Sequence, residues 1–170
     1  MKNIYNAITL IGMPASGKST VGKILAKKLG WDFVDLDDLI KERTGKNYDE
    51  ILEQEGEKRL LEVENQFVLE LDFGRGMVFS PGGSIIYSPE AMEKIKNETK
   101  IIYIDLPLEE IEKRLKERLI KGGIVGLKEN GLKKLFEERD MAYRKFADDI
   151  IEADDQTEEE LAVGVIKLIK

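Results

Sequence analysis

The residues best arranged for chemistry are Gly12-Met13-Pro14-Ala15-Ser16-Gly17-Lys18-Ser19-Thr20, which fit the phosphate-binding pattern G-x-x-x-x-G-K-[ST] at every fixed position. Small residues let the backbone turn tightly enough for several N–H groups to converge on a polyphosphate, and a helix starting near Lys18 aims its positive end at the same point. Lys18 adds a mobile cation for the β and γ phosphates, and the Ser19 hydroxyl can ligate Mg²⁺. The pattern needs a strand before it and a helix after it. Ile8 to Ile11 supply an apolar strand, and Val21, Ile24, Leu25 and Leu29 recur at helical spacing. The loop is therefore expected to hold a nucleoside triphosphate with Mg²⁺ as cofactor, and by itself it leaves kinases, ATPases and GTPases open.

Composition narrows the remaining chemistry. The 170 residues are enough for one domain, 42% are hydrophobic and 36% charged, and the net charge is −7. A negative balance argues against nonspecific binding to nucleic acid or to an anionic membrane surface. The chain has no cysteine and no histidine, which removes disulfides, thiol nucleophiles, Cys/His zinc sites and imidazole acid-base chemistry together. Any proton acceptor is a carboxylate or a lysine. The start shows no signal-peptide pattern and no apolar run approaches the length of a membrane span, so a cytoplasmic location is expected.

The elements that must position the loop alternate along the chain. Strands are expected over about 5–11, 32–35, 77–79, 100–105 and 149–152. Helices are expected over about 18–29, from the acidic start at Asp37 and Asp38, over about 48–71 with a break near Gly56, after Pro89, over about 108–119 and 132–146, and from Thr157. The continuous apolar run Ile101-Ile102-Tyr103-Ile104 is what a strand buried on both faces requires. Such alternation implies right-handed crossovers and a parallel sheet with helices on both faces. Lys121-Gly122-Gly123-Ile124-Val125-Gly126 interrupts the helical pattern with three glycines and is expected to be a mobile segment.

Several separated signatures together resemble the shikimate kinases, small P-loop kinases that phosphorylate a ring hydroxyl of a carboxylate-bearing substrate with MgATP. They are Gly12 to Thr20 followed by Val21-Gly22, Phe33-Val34-Asp35-Leu36-Asp37, Glu42-Arg43-Thr44-Gly45, Glu55-Gly56-Glu57, Gly82-Gly83, Tyr103-Ile104-Asp105, and Glu138-Arg139 with Tyr143. The resemblance implies an α/β P-loop kinase fold whose five parallel strands lie in the order 2-3-1-4-5, as a single domain. It also implies an acceptor-binding helical region over about 36–72 and a small lid over about 119–128. Read alone, Asp35 is a helix cap and Asp37 a first-turn charge. By the resemblance, Asp35 holds Mg²⁺ through water with Ser19, and Asp37 takes or steers the proton of the acceptor hydroxyl. Gly82 and Gly83 offer backbone N–H groups to the acceptor, Arg139 clamps its carboxylate, and Arg114 stacks on the adenine. Asp105 ends a hydrophobic strand like a metal-binding carboxylate but is assigned a structural role.

Besides Pro81 in place of the first of the family's three consecutive glycines and Ser84 where a glycine or alanine is typical, two features depart from the family pattern. An arginine expected at Leu61 is absent, with Lys58 three residues earlier on nearly the same helical face, and the lid has Lys121 where the family has an arginine. The expected activity is phosphoryl transfer from ATP to shikimate, giving shikimate 3-phosphate. The alternatives are a related kinase for another small hydroxy acid or hydroxy amino acid, and a nucleotide-binding regulatory protein without transfer. The partners expected are ATP and a small hydroxyl-bearing carboxylate, with no nucleic acid, no membrane and a monomeric enzyme.

Overall fold

The computed structural model describes residues 5–117 and 123–169. Its centre is a five-stranded parallel sheet of β1 (Ala7–Ile11), β2 (Asp32–Asp35), β3 (Met77–Ser80), β4 (Lys100–Asp105) and β5 (Asp149–Glu152), ordered β2-β3-β1-β4-β5 as expected. All five residues of β1 are buried, which is why that strand carries apolar residues without alternation. Seven α-helices stand among the described residues: α1 (Lys18–Leu29), α2 (Leu36–Thr44), α3 (Tyr48–Glu70), α4 (Pro89–Glu98), α5 (Leu108–Glu117), α6 (Leu127–Phe146) and α7 (Glu158–Ile169). Helix α1 packs against α7 and β3, whereas α3 packs against α2 and α4.

The sheet order dictates where a ligand can bind. From β1 the neighbours β3 and β4 lie on opposite sides, so the connections leaving their carboxyl ends diverge and open a crevice there. The phosphate loop follows β1, Asp35 ends β2 and Ser80 ends β3, with Asp35 in register with Ser80. Three chemically useful positions thus converge on one edge of the sheet.

Local signals set the helices around that crevice. Asn47 and Glu50 form a reciprocal cap on α3: the Asn47 side chain accepts from the Glu50 N–H at 2.9 Å, and Glu50 accepts from the Asn47 N–H at 2.8 Å. The break in α3 falls at Gly56, with φ 87° and ψ 171°. Helix α6 begins five residues before the expected Leu132. Its first turn follows Gly126 and is separated from the rest by a kink at Gly131, at φ 73° and ψ 161°, so two helical pieces meet where the apolar spacing reveals only the second.

Candidate active site

The loop from Gly12 to Thr20 is built as its residue types require. Gly17 caps α1 at φ 91°, a conformation that favours glycine, and the Ser16 N–H donates to the Met13 carbonyl at 3.1 Å. Met13 and Ser16 are buried and anchor the loop to the core. Lys18 donates through Nζ to the Gly12 carbonyl at 3.0 Å, the Met13 carbonyl at 2.8 Å and Ser16 Oγ at 3.4 Å. Its ammonium is therefore held against the loop itself. Arg114, on α5, donates from Nη1 to the Ala15 carbonyl at 3.3 Å and from Nε to Glu110 at 2.9 Å, which sets its guanidinium against the outer side of the loop.

Two openings meet at this loop. A niche of about 90 Å³ lies against Ala15, Gly17, Lys18, Ser19 and Thr20. A cavity of about 250 Å³ shares Ala15, Lys18 and Ser19 with it and extends past Pro14 to Asp35, Asp37, Gly82, Gly83 and Arg139. Within it, Ser19 Oγ donates to Asp35 Oδ2 at 2.5 Å, and the other Asp35 oxygen accepts from the Asp37 N–H at 3.0 Å. Asp35 is a helix cap and the neighbour of the loop hydroxyl at once. One carboxylate and one hydroxyl beside a phosphate site make an all-oxygen donor set, which suits a hard cation that keeps waters and phosphate oxygens as its other ligands.

Asp37 differs from an ordinary aspartate. Burial, and then the Asp35 charge, push it up to about 6, although Lys18 pulls the other way. A carboxylate balanced near neutrality is suited to accepting a proton. Facing it, the Gly82-Gly83 turn is packed so closely that a side chain has no room: a Cβ on Gly82 would lie 2.9 Å from Glu64 Oε1, and one on Gly83 would lie 2.8 Å from Arg139 Nη1.

Arg139 is 1% exposed, yet it lines the cavity. Its Nη2 donates to the Val125 carbonyl at 2.8 Å, its guanidinium lies 5.3 Å from the Tyr87 ring centre, and its buried Nε has no hydrogen-bond partner. A buried, unsatisfied cationic donor costs free energy until an anion or another acceptor reaches it. The described part of the Gly-rich segment lies over this cavity. Ile124 and Val125 are buried, Gly123 and Ile124 line the cavity, and the Gly126 N–H donates to Glu57 of α3 at 2.8 Å.

The structure thus brings together the loop, Lys18, Ser19, Asp35, Asp37, Gly82, Gly83 and Arg139, with Arg114 at the loop's flank. Lys58 is placed elsewhere: with Leu61, Glu62 and Tyr87 it lines a separate open groove, so the helical-face argument groups Lys58 correctly with Leu61 but brings neither to this cavity. Lys121 lies outside the described residues. Asp105 is paired with Arg144, which also bonds Asp140 at 2.9 Å. Sequence reasoning passed over Tyr48 and Glu64 as site residues, and took Ser84 only as a departure from the family pattern after the glycine pair. Glu64 did carry a signal, because it falls in the apolar stripe Leu60-Val63-Phe67-Val68, and a lone acid there is 0% exposed. Its carboxylate accepts from Ser84 Oγ at 2.9 and 2.8 Å, and burial pushes it up to about 7.

A parallel sheet with a phosphate loop at its strand-order reversal, and a carboxylate and a buried guanidinium across one cavity from that loop, define a P-loop phosphotransferase. The shikimate kinase family model matches residues 14–170. The chain is 37% identical to a shikimate kinase of Sulfurihydrogenibium sp. (strain YO3AOP1), over 100% of this chain and 99% of that one. It is 38% identical to one of Persephonella marina, over 84% of each. The solved shikimate kinase of Acinetobacter baumannii in complex with shikimate superposes with a TM-score of 0.87 at 31% identity, covering 97% of this chain and 93% of that one. The chain belongs to the shikimate kinase family, ATP-using phosphotransferases with a hydroxyl acceptor.

Proposed function

We propose that this protein transfers the γ-phosphoryl group of ATP to the 3-hydroxyl of shikimate. The observation that carries this reading is Arg139: a buried guanidinium with an unsatisfied Nε lines the same cavity as the proton-accepting Asp37 and the phosphate loop. A molecule bearing both a carboxylate and a hydroxyl satisfies both ends at once. Family membership supports the choice of shikimate.

Phosphoryl transfer asks the protein mainly for in-line positioning and for neutralising charge on the γ-phosphoryl oxygens. The loop N–H groups from Gly12 to Thr20 and Lys18 meet the phosphates, and Arg114 holds the nucleotide at the loop's outer side. Ser19 and Asp35 would hold Mg²⁺, which when bound supplies charge neutralisation at the β and γ phosphates. Asp37 accepts the proton as the hydroxyl oxygen bonds to phosphorus, the bond to the β-γ bridging oxygen breaks, and ADP leaves. Gly82 and Gly83 offer backbone N–H groups to the acceptor, and Arg139 holds its carboxylate.

Residues 36–72 form the acceptor-binding helical region in this reading, and 119–128 a lid that excludes water from the reacting phosphoryl group. The acidic surface favours small-molecule substrates over nucleic acid or an anionic membrane. We place the enzyme in the cytoplasm as a monomer. No helix among the described residues is long and apolar enough to cross a membrane.

The test is ADP release by the purified protein with MgATP, with shikimate or a panel of other hydroxy acids and hydroxy amino acids. Acceptor-dependent release with shikimate supports the reading. Release only with another acceptor replaces shikimate, and no acceptor-dependent release leaves a nucleotide-binding protein without transfer. The second outcome has one observation in its favour: Leu61, where the family has an arginine, lines a separate groove with Lys58, so neither brings a cation to the cavity.

A further inference from the structure

Tyr48 is a cavity-lining side chain to which phosphoryl transfer assigns no role. As the first residue of α3 it follows the Asn47–Glu50 cap, which fixes its backbone. It lines the cavity with Asp37, Gly82 and Gly83, and its hydroxyl lies 3.4 Å from Ser84 Oγ. Ser84 is fully buried, directly after the glycine pair, and directs its hydroxyl at both oxygens of Glu64.

The inventory of protons sets the direction of this chain. A serine hydroxyl has one hydrogen; with Glu64 ionised, above about pH 7, that hydrogen goes to the carboxylate, and Ser84 then meets Tyr48 as an acceptor. The phenol is therefore the donor of the long Tyr48–Ser84 contact. Burial, with the Glu64 charge beside it, pushes the phenol's ionisation upward, so it keeps that proton. With its hydrogen turned to Ser84, the phenol oxygen has only lone pairs left to offer the cavity. Lone pairs there recognise a hydrogen-bond donor.

We propose that Tyr48, oriented by Ser84 and Glu64, is a specificity-determining contact that accepts a hydrogen bond from a second, non-reacting hydroxyl of the acceptor. This rests on the functional reading above and deepens it. Arg139 takes a carboxylate, Asp37 the reacting hydroxyl and Tyr48 a further hydroxyl, so the preferred acceptor is a polyhydroxylated acid. A hydroxy acid with a single hydroxyl leaves the phenol oxygen without a donor. Tyr48 touches the ligand in this arrangement, whereas Ser84 and Glu64 are positioning residues.

The experiment compares the wild type with Tyr48→Phe and Ser84→Ala, measuring kcat and KM for shikimate, for its 4-deoxy and 5-deoxy analogues, and for ATP. In the wild type, one deoxy analogue should show a KM about three- to tenfold above that of shikimate, the loss of one neutral hydrogen bond. Tyr48→Phe should raise the KM for shikimate by the same factor, show no further penalty for that analogue, and leave the KM for ATP within twofold. Ser84→Ala, which frees the phenol without touching the ligand, should weaken the same discrimination and keeps the test available if Tyr48→Phe fails to fold. An unchanged shikimate KM in Tyr48→Phe, an equal rise in the KM for ATP, or undiminished discrimination in both variants would overturn the proposal while leaving the functional reading intact. A wild type that does not use shikimate refutes that reading, and this proposal falls with it.

Discussion

Replacing Glu64 by Gln tests the electrostatics of the acceptor pocket without altering its shape. The carboxylate is fully buried, has Ser84 as its hydrogen-bond partner and lies near the Asp37 charge, and its protonation is pushed from the ordinary 4.5 up to about 7. Because the folded-state value lies above the unfolded one, Glu64's contribution to stability is fully present below about pH 4.5 and is lost as the pH rises through about 7. At pH 8 the ionised side chain therefore costs the folded state ~3 kcal/mol. Glutamine removes that cost but weakens the bond from Ser84, which returns about 1 kcal/mol. The net gain of about 2 kcal/mol corresponds to a Tm roughly 4–8 °C higher at pH 8 for a chain of this size. At pH 5 the gain should vanish or reverse. Thermal unfolding followed by circular dichroism at pH 5, 6.5 and 8 reads the difference directly. A Tm difference independent of pH, or a variant less stable than wild type at pH 8, would refute the assignment of a carboxylate whose burial outweighs its bond from Ser84 and the nearby Arg139 charge.

The remaining predictions concern the cavity and its surroundings. Asp37→Asn should lower kcat by roughly 10²–10⁴ while changing ATP affinity little, as measured by steady-state kinetics and nucleotide titration. In the wild type, kcat should fall as the pH drops below about 6, where Asp37 takes up its proton, and that acid limb should disappear in the variant. Gly83→Ala places a Cβ 2.8 Å from Arg139 Nη1 and should raise the acceptor KM on the order of tenfold, more than it raises the KM for ATP. Asp105→Asn breaks the pair with Arg144 at a partly exposed position, so it should cost about 0.5–1 kcal/mol in denaturant unfolding and leave kcat within twofold.

The parts legible in the sequence are those governed by local rules. The phosphate loop is a fixed pattern of small residues between an apolar strand and a helix, and each strand of the sheet is a short apolar run with its own punctuation. Asp37 and Arg139 carry no such local mark. A first-turn aspartate and a helix arginine are ordinary surface residues until the fold sets them across one cavity, and only the family resemblance singled them out. Lys58 shows the limit of helical-face reasoning: 3.6-residue periodicity groups it with Leu61 but does not say that Tyr87 and Pro89 face that side of α3. Glu64 was readable as an acid in an apolar stripe, but its pairing with Ser84 across 20 residues was not. The first turn of α6 stayed hidden because Gly131 interrupts the spacing on which a helix is recognised.

Arg139 also bonds the Val125 carbonyl, two residues before α6 begins. In the proposed reading, a carboxylate arriving at Nε meets a side chain already tied to the segment that lines the cavity, so seating the acceptor would steady that segment beside the phosphate loop. Two ligands that share one brace do not bind independently: whatever factor the first adds to the affinity of the second, the second must return. Acceptor titrated with and without bound ADP would display that synergy, and cutting the Arg139 tether should leave two sites that fill in ignorance of each other.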